Sequence, residues 1–145
     1  MKNILYIGFK GKNNYSEILV KSLSGQYSLL TNSYAGLKRD IDKLAEDFDE
    51  VYLFGVDKRL SDSYRIEPYA EKDGVKLTTI LDLDEIAERL SASGNKSTIS
   101  DKATHYLCNE AYWYLLEKFK GRAVLIHIPT VKNYCDSTLF VFGDE

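Results

Sequence analysis

The chain of 145 residues is 44% hydrophobic and 28% charged, with a formal net charge of −3 at pH 7; this composition predicts one globular domain over residues 1–145. The acidic balance argues against a nucleic-acid-binding protein, because phosphate contacts require a basic face. No apolar run approaches the roughly 18 residues that a membrane span needs, and no signal-peptide cleavage site follows the first residues. Two cysteines make neither a disulfide framework nor a zinc site. We therefore expect a cytoplasmic protein without a metal or cofactor.

The first half of the chain alternates predicted strands with predicted helices. Short apolar runs that end near a glycine, at Gly8 and Gly55, are typical of buried parallel strands. Apolar residues at helical spacing, with Ser16 as an N-cap and Gly25 as a stop, predict the intervening helices. The predicted order is a strand at 4–9, a helix from 16 towards 25, a strand at 27–31, a helix at 37–48 and a strand at 51–56.

The second half continues this alternation. Residues 64–70 are predicted to be extended, since Pro68 interrupts a helix, and Asp73-Gly74 is a turn signal. Asp82 and Glu85 form a capping-box-like pair that begins a helix ending near residue 90. A strand at 96–100, a helix at 108–119, a strand at 123–128 and an edge strand at 139–142 follow. The pattern predicts an α/β fold with one mostly parallel, mixed sheet flanked by helices.

A cysteine and a histidine fall at the same predicted edge of this sheet. Cys108 opens the helix after the 96–100 strand, and His127 lies at the end of the 123–128 strand. At a helix start, unpaired N–H groups and the helix dipole favour the thiolate and lower the thiol pKa from about 8.5. A Cys/His pair is what nucleophilic catalysis needs. The alternatives are a buried apolar cysteine and a hydrogen-bonded core histidine.

Two further residues compete for these roles. His105 lies three residues before Cys108 and is a second candidate base, or it faces water. Cys135 lies in the polar stretch KNYCDS, where a free surface thiol is the ordinary interpretation.

Several stretches of the chain match a known family. Residues 100–109, SDKATHYLCN, followed by an aromatic-rich helix, resemble the nucleophile segment of pyroglutamyl peptidase I, a family of cysteine peptidases. Residues 125–129, LIHIP, resemble the end of the family's histidine-bearing strand, and residues 7–9, IGF, are similar to its G-F start. Residues 77–90 resemble the helix before the nucleophile loop. The resemblance is colinear over nearly the whole chain.

The resemblance implies a cysteine hydrolase that removes an N-terminal pyroglutamyl or related acyl group from a peptide or small amide. Cys108 would be the nucleophile and His127 the general base and acid, with Glu67, in RIEPYA, as the third member of the triad. Gly8 and Phe9 match the G-F start, whose aromatic ring packs against the lactam. The family's tendency to self-associate implies a possible homo-oligomer.

The chain also departs from the family's pattern. Lys12 stands where the family has a second phenylalanine, and Thr104 and His105 replace the glycine and threonine of its A-G-T loop. The segment after Glu67 is short. Since a neutral lactam needs a close apolar sandwich, we expect pyroglutamyl amides to be cleaved poorly or not at all. Lys12 instead favours an acyl group bearing a carboxylate, or it points to solvent.

A different class of function stays open. The reduced loops are also compatible with a non-catalytic binding or assembly module that keeps the peptidase scaffold. Tyr112, Trp113 and Tyr114 are consecutive on the predicted helix and cannot all face inward, so part of this aromatic run is a candidate subunit interface.

Overall fold

Six strands form one mixed sheet. The structure, a computed structural model, describes residues 2–11, 14–23, 25–92, 94–103 and 106–130. The strands are β1 (Ile4–Phe9), β2 (Gln26–Leu30), β3 (Glu50–Val56), β4 (Ser63–Glu67), β7 (Lys96–Ile99) and β8 (Ala123–Ile128), with β5 (Tyr69–Lys72) and β6 (Val75–Thr78) forming a separate hairpin. The sheet order is β2-β1-β3-β8-β4-β7.

The direction of the strands changes once across the sheet. β2, β1, β3 and β8 are parallel, β4 is antiparallel to β8, and β7 is parallel to β4. The parallel strands thus end at one common edge, and β4 starts there. The predicted mixed, mostly parallel sheet is confirmed. The predicted strand at 139–142 lies outside the described residues.

Helices cover both faces of the sheet. The helices are α1 (Tyr15–Ser22), α2 (Tyr34–Asp42), α3 (Leu83–Ala92) and α4 (Tyr106–Lys118). One buried cluster joins Leu19 of α1 and Leu90 of α3 to one face, and the other joins Leu37 of α2 and Leu115 of α4 to the opposite face. None of the helices in the described part of the chain is long and apolar enough to cross a bilayer.

The period of two along a strand decides which residues meet α4. On β3, Tyr52 and Phe54 face α1 and α3, whereas Val51 and Leu53 face α2 and α4. The strand is buried on both sides, which explains its unbroken apolar sequence. Odd-numbered positions of β3, β4 and β8 therefore share the face that α4 covers.

Two helix boundaries differ from the prediction. The helix predicted at 37–48 is Tyr34–Asp42, because the Ser33 side chain accepts a hydrogen bond from the Gly36 N–H and caps it earlier. The first helix is capped by Asn14, not by Ser16, whose hydroxyl instead accepts a hydrogen bond from the Phe9 N–H. The Asp82 cap is confirmed by the bond that its carboxylate accepts from the Glu85 N–H at 3.1 Å.

The stretch from 63 to 78 contains more strand than the sequence predicts. The extended segment at 64–70 is two strands separated by Pro68, and the chain then turns at Asp73 and Gly74, both with positive φ, into β6. Residues 77–78, placed by the resemblance at the start of a helix, are the end of this strand.

The aromatic run on α4 is largely used inside the chain. Tyr112 is fully buried and its hydroxyl donates a hydrogen bond to the Glu67 carbonyl at 2.7 Å. Tyr114 donates to the Glu110 carboxylate and lies beneath the Lys72 ammonium. Trp113 is half-buried against the α2/α4 cluster. These contacts account for the run without a second subunit.

Candidate active site

Three neighbouring strands and one helix bring the candidate residues together. His127 of β8 is paired in register with Gly55 of β3 on one side and with Arg65 of β4 on the other. Glu67 lies two residues beyond Arg65 and therefore on the same face. Cys108 lies in the first turn of α4, which covers this face. The edge position that the sequence predicts for Cys108 and His127 is where the structure places them.

A buried histidine–carboxylate pair forms the base of the site. His127 Nδ1 lies 3.0 Å from Glu67 Oε2, and the two residues are only 4% and 1% exposed. Burial alone would raise the pKa of Glu67, but the hydrogen bonds from His127 and Arg65 outweigh it and hold that pKa below its ordinary value. Glu67 is thus a carboxylate that fixes the orientation of the imidazole. The resemblance assigned it this position.

Gly55 separates the thiol from the imidazole ring. A Cβ built on Gly55 would lie 2.6 Å from Cys108 Sγ and 3.5 Å from His127 Cδ2. The thiol and the Cδ2 side of the ring thus both border the space above Gly55, while Nδ1 faces Glu67. Tyr106, just ahead of Cys108, adopts a φ of 72°, a strained conformation of the kind found at functional sites. A glycine at position 55 is what lets sulfur and ring approach.

The thiol of Cys108 is neutral at rest. Burial, and after it the nearby carboxylates of Asp57 and Glu67, raise its pKa to about 12, and the Arg65 guanidinium lowers it less than these carboxylates raise it. The expectation that the helix start lowers this pKa is wrong in direction, because desolvation and two negative charges outweigh the helix dipole. Proton transfer from the thiol must therefore accompany any attack by the sulfur.

Arg65 joins the histidine pair to a second carboxylate. Its Nε donates to Glu67 Oε2 at 2.7 Å, and its Nη2 donates to Asp57 Oδ2 at 2.7 Å. Arg59 also binds Asp57, through Nε at 3.1 Å and Nη2 at 3.0 Å. The sequence analysis missed Arg65. The signal was the R-x-E spacing on β4, which places Arg65 and Glu67 on one face.

The ionised Glu67 carboxylate, and not Arg65, fixes the tautomer of the His127 ring. Arg65 Nη2 lies 3.2 Å from His127 Nδ1, but arginine is always a donor, and Glu67 Oε2 accepts from the same Nδ1. Since the Glu67 carboxylate is ionised, Nδ1 carries the proton and Nε2 is the free acceptor. This is the tautomer in which Nε2 can accept the thiol proton.

An open cleft of about 1020 Å³ leads to Cys108 and His127. Phe9, Asn32 and Tyr106 line it together with charged residues of the β3–β4 loop. Gly8 packs closely against α1, because a Cβ there would lie 2.5 Å from the Ser16 carbonyl oxygen, and its contact with substrate stays a prediction. Lys12, His105 and Cys135 lie outside the described residues. Among the described residues, no group of three or more His, Cys, Asp and Glu side chains is arranged to hold a metal ion.

We predict that Arg65→Met lowers the free energy of unfolding by about 2–3 kcal/mol, because it leaves Glu67 and Asp57 each short of a buried partner. Arg59→Met is the matched control. Its side chain is 82% exposed and pairs with the same Asp57, so its loss is expected to destabilise the protein clearly less than the loss of Arg65. Urea denaturation at pH 7 measures both.

The pH dependence gives a second check on Arg65. The pKa values of Asp57 and Glu67 lie below their ordinary values in the folded state. Their stabilisation is thus present above the ordinary carboxyl pKa and is lost as the pH falls below it. The difference in the free energy of unfolding between Arg65→Met and Arg59→Met should therefore become smaller at acidic pH. Equal losses at pH 7 would contradict the role given to Arg65.

We further predict that Gly55→Ala destabilises the protein by about 1–3 kcal/mol through the clash of its Cβ with Cys108 Sγ. The same substitution in a Cys108→Ala background should cost clearly less, because the remaining Cβ–Cβ separation is an ordinary 3.6 Å. Chemical denaturation of the four proteins gives the coupling. A cost that is independent of residue 108 would show that sulfur does not occupy this space.

The comparisons with known proteins bear on the fold. No family model matches the chain, and no curated protein matches it. Pyrrolidone carboxyl peptidase from Thermus thermophilus matches with a TM-score of 0.79 at 16% identity, over 98% of each chain. The enzyme from Thermococcus litoralis matches with a TM-score of 0.75 at 20% identity, over 97% of this chain and 90% of that one.

Pyroglutamyl peptidase I from Bacillus amyloliquefaciens matches with a TM-score of 0.73 at 18% identity, over 89% of this chain and 82% of that one. These structures share the mixed α/β architecture, and they confirm at the level of the fold the resemblance found in the sequence. The chain has the pyroglutamyl peptidase fold.

Proposed function

We propose that the chain is a cysteine hydrolase in which Cys108, His127 and Glu67 act as nucleophile, base and orienting carboxylate. The observation that carries this proposal is the arrangement above Gly55, where Cys108 Sγ and the His127 ring face the same point while Glu67 holds the far side of the ring. The fold shared with pyrrolidone carboxyl peptidases supports the same reaction class.

The proposed reaction starts from a neutral thiol and a neutral imidazole. His127 Nε2 takes the thiol proton as Cys108 Sγ bonds to the carbonyl carbon of an amide, and backbone N–H groups in the first turn of α4 are placed to receive the oxyanion. The C–N bond then breaks, and the same proton passes to the leaving amine. Water, deprotonated by His127, attacks the thioester and releases the acid and the free thiol.

The acyl specificity differs from that of a pyroglutamyl peptidase. Phe9 supplies one apolar wall of the cleft. In the resemblance, Lys12 stands at the sequence position of the family's second phenylalanine, and its charge does not match a neutral lactam. We therefore propose that pyroglutamyl amides are poor substrates and that a related acyl group is preferred.

The alternative is a non-catalytic module that keeps the scaffold. The raised pKa of Cys108 favours it, because a buried neutral thiol is unreactive unless a base removes its proton. Glu67 is bonded by both His127 and Arg65, and this also favours the non-catalytic module. The Arg65 charge reduces the electrostatic stabilisation that the carboxylate can give to a charged imidazole.

A panel of fluorogenic aminoacyl, acyl and pyroglutamyl amides separates these functions. We expect turnover of at least one amide, a loss of about 100-fold or more in Cys108→Ala and in His127→Ala, and no change in Cys135→Ala. Lys12→Phe should improve pyroglutamyl amides more than any acidic substrate. No turnover of any amide by the folded protein would support the binding module, and rapid turnover of a pyroglutamyl amide would contradict the proposed specificity.

The charge state of the resting thiol is tested by alkylation with iodoacetamide in a Cys135→Ala background. Because the pKa of Cys108 is raised to about 12, the thiolate fraction at pH 7 lies below that of an ordinary thiol. We expect slow labelling at pH 7 and a rate that still rises above pH 10, where the reference thiol, an unfolded cysteine peptide with a pKa of about 8.5, has levelled off. Fast labelling that is independent of pH between pH 6 and 8 would reveal a thiolate–imidazolium pair instead.

A further inference from the structure

Positive charge is concentrated at the cleft of an acidic protein. Four cations line it: Lys58, Arg59, Arg65 and Lys102. Asp57 is the one carboxylate in the described part of the lining. The whole chain has a net charge of −3, so this local excess of positive charge opposes the overall balance.

Asp57 offsets only the two arginines. Its carboxylate accepts two side-chain bonds and a backbone N–H bond at 2.9 Å from Arg59, and one bond from Arg65. Lys58 and Lys102 are both exposed and make no ion pair with any described residue. Lys58 follows β3 and Lys102 lies between β7 and α4, so two separate segments each direct an unpaired cation to the same cleft.

This arrangement discriminates between ligands by charge. In a concave site, charges of one sign reinforce each other, which raises the local concentration of an oppositely charged ligand and its rate of association. A neutral amide makes no ionic contact with Lys58 or Lys102. A carboxylate makes an ionic contact with each lysine and displaces only water from them. A cationic substrate would be repelled.

We propose that the cleft binds small amides carrying a free carboxylate, with Lys58 and Lys102 as the residues that recognise it; this substrate class rests on the proposed hydrolase function. Neither lysine takes part in the chemical step. Their contribution is to affinity, so their loss raises KM and leaves kcat with a good substrate nearly unchanged.

Binding is measured by calorimetry on Cys108→Ala protein, which requires no turnover. Two matched pairs of probes are used: the N-succinyl and N-succinamoyl derivatives of benzylamine, and N-benzoylglycine with its amide. The first pair places the carboxylate in the acyl part and the second in the amine part. We expect the acid of at least one pair to bind about tenfold or more tightly than its neutral partner at low salt, and the difference to shrink as salt is added.

Charge variants of Lys58 and Lys102 test whether these two lysines cause the preference for the acid probe. Lys58→Glu and Lys102→Glu should each remove most of the preference for the acid, and the double variant all of it; Lys58→Ala and Lys102→Ala repeat the test with a smaller charge change. Lys43→Glu, an equal charge change at the exposed end of α2 and outside the cleft lining, should leave the preference intact.

Each outcome is decisive for one proposal. Equal binding of acid and neutral probes, or a preference unaffected by both lysines, overturns the carboxylate proposal even if the panel shows hydrolysis. Tighter binding of inorganic phosphate than of either acid also overturns it. A preference that depends on the lysines, without turnover of any amide, supports the carboxylate site and contradicts the hydrolase function.

Discussion

The site depends on one buried oxygen atom, Glu67 Oε2. It accepts hydrogen bonds from His127 at 3.0 Å and from Arg65 at 2.7 Å, whereas Oε1 of the same carboxylate has no partner among the described residues. A buried carboxylate is retained only if its charge is offset, and here a cation and a ring N–H offset it together. The need to offset this charge fixes the orientation and the tautomer of the His127 imidazole and the position of Arg65.

The sheet places Arg65 and His127 where both can bind the Glu67 carboxylate. Because β4 runs antiparallel to β8, Arg65 lies opposite His127 in the register, and Glu67 follows on the same face. A strand parallel to β8 at this position would place its residues in a different register relative to His127. Gly55, opposite His127 on the other side, leaves the space that Cys108 Sγ occupies. Three strands thus build the floor of the site, and α4 adds the sulfur.

Electrostatics divides the site into two zones. Around Cys108, burial and carboxylates raise the pKa of the thiol and keep it protonated. At the mouth, Asp57 and Glu67 together offset the two arginines and leave the exposed lysines to meet solvent. The same Asp57 therefore raises the pKa of the thiol and sets which cations are available to a ligand.

The sequence by itself determined the elements whose signals are local. The apolar runs of β1, β3 and β8, the Asp82 cap of α3 and the turn at Asp73-Gly74 follow from residues close in the chain, and all were predicted. The pattern also singled out Cys108 and His127, since a helix start and a strand end are local features, but β7 runs opposite to β8, so local signals did not decide which edge each strand end occupies.

Only the tertiary structure decided the direction of β4, the pairing of Arg65 with both Asp57 and Glu67, and the sign of the pKa shift at Cys108. Each depends on groups distant in the chain: Arg65 and His127 are 62 residues apart. Reasoning from the local sequence considers only how the dipole of α4 affects the pKa of the Cys108 thiol. The folded protein adds desolvation and two carboxylates distant in the chain, Asp57 just after β3 and Glu67 on β4, and together they raise the pKa of the thiol.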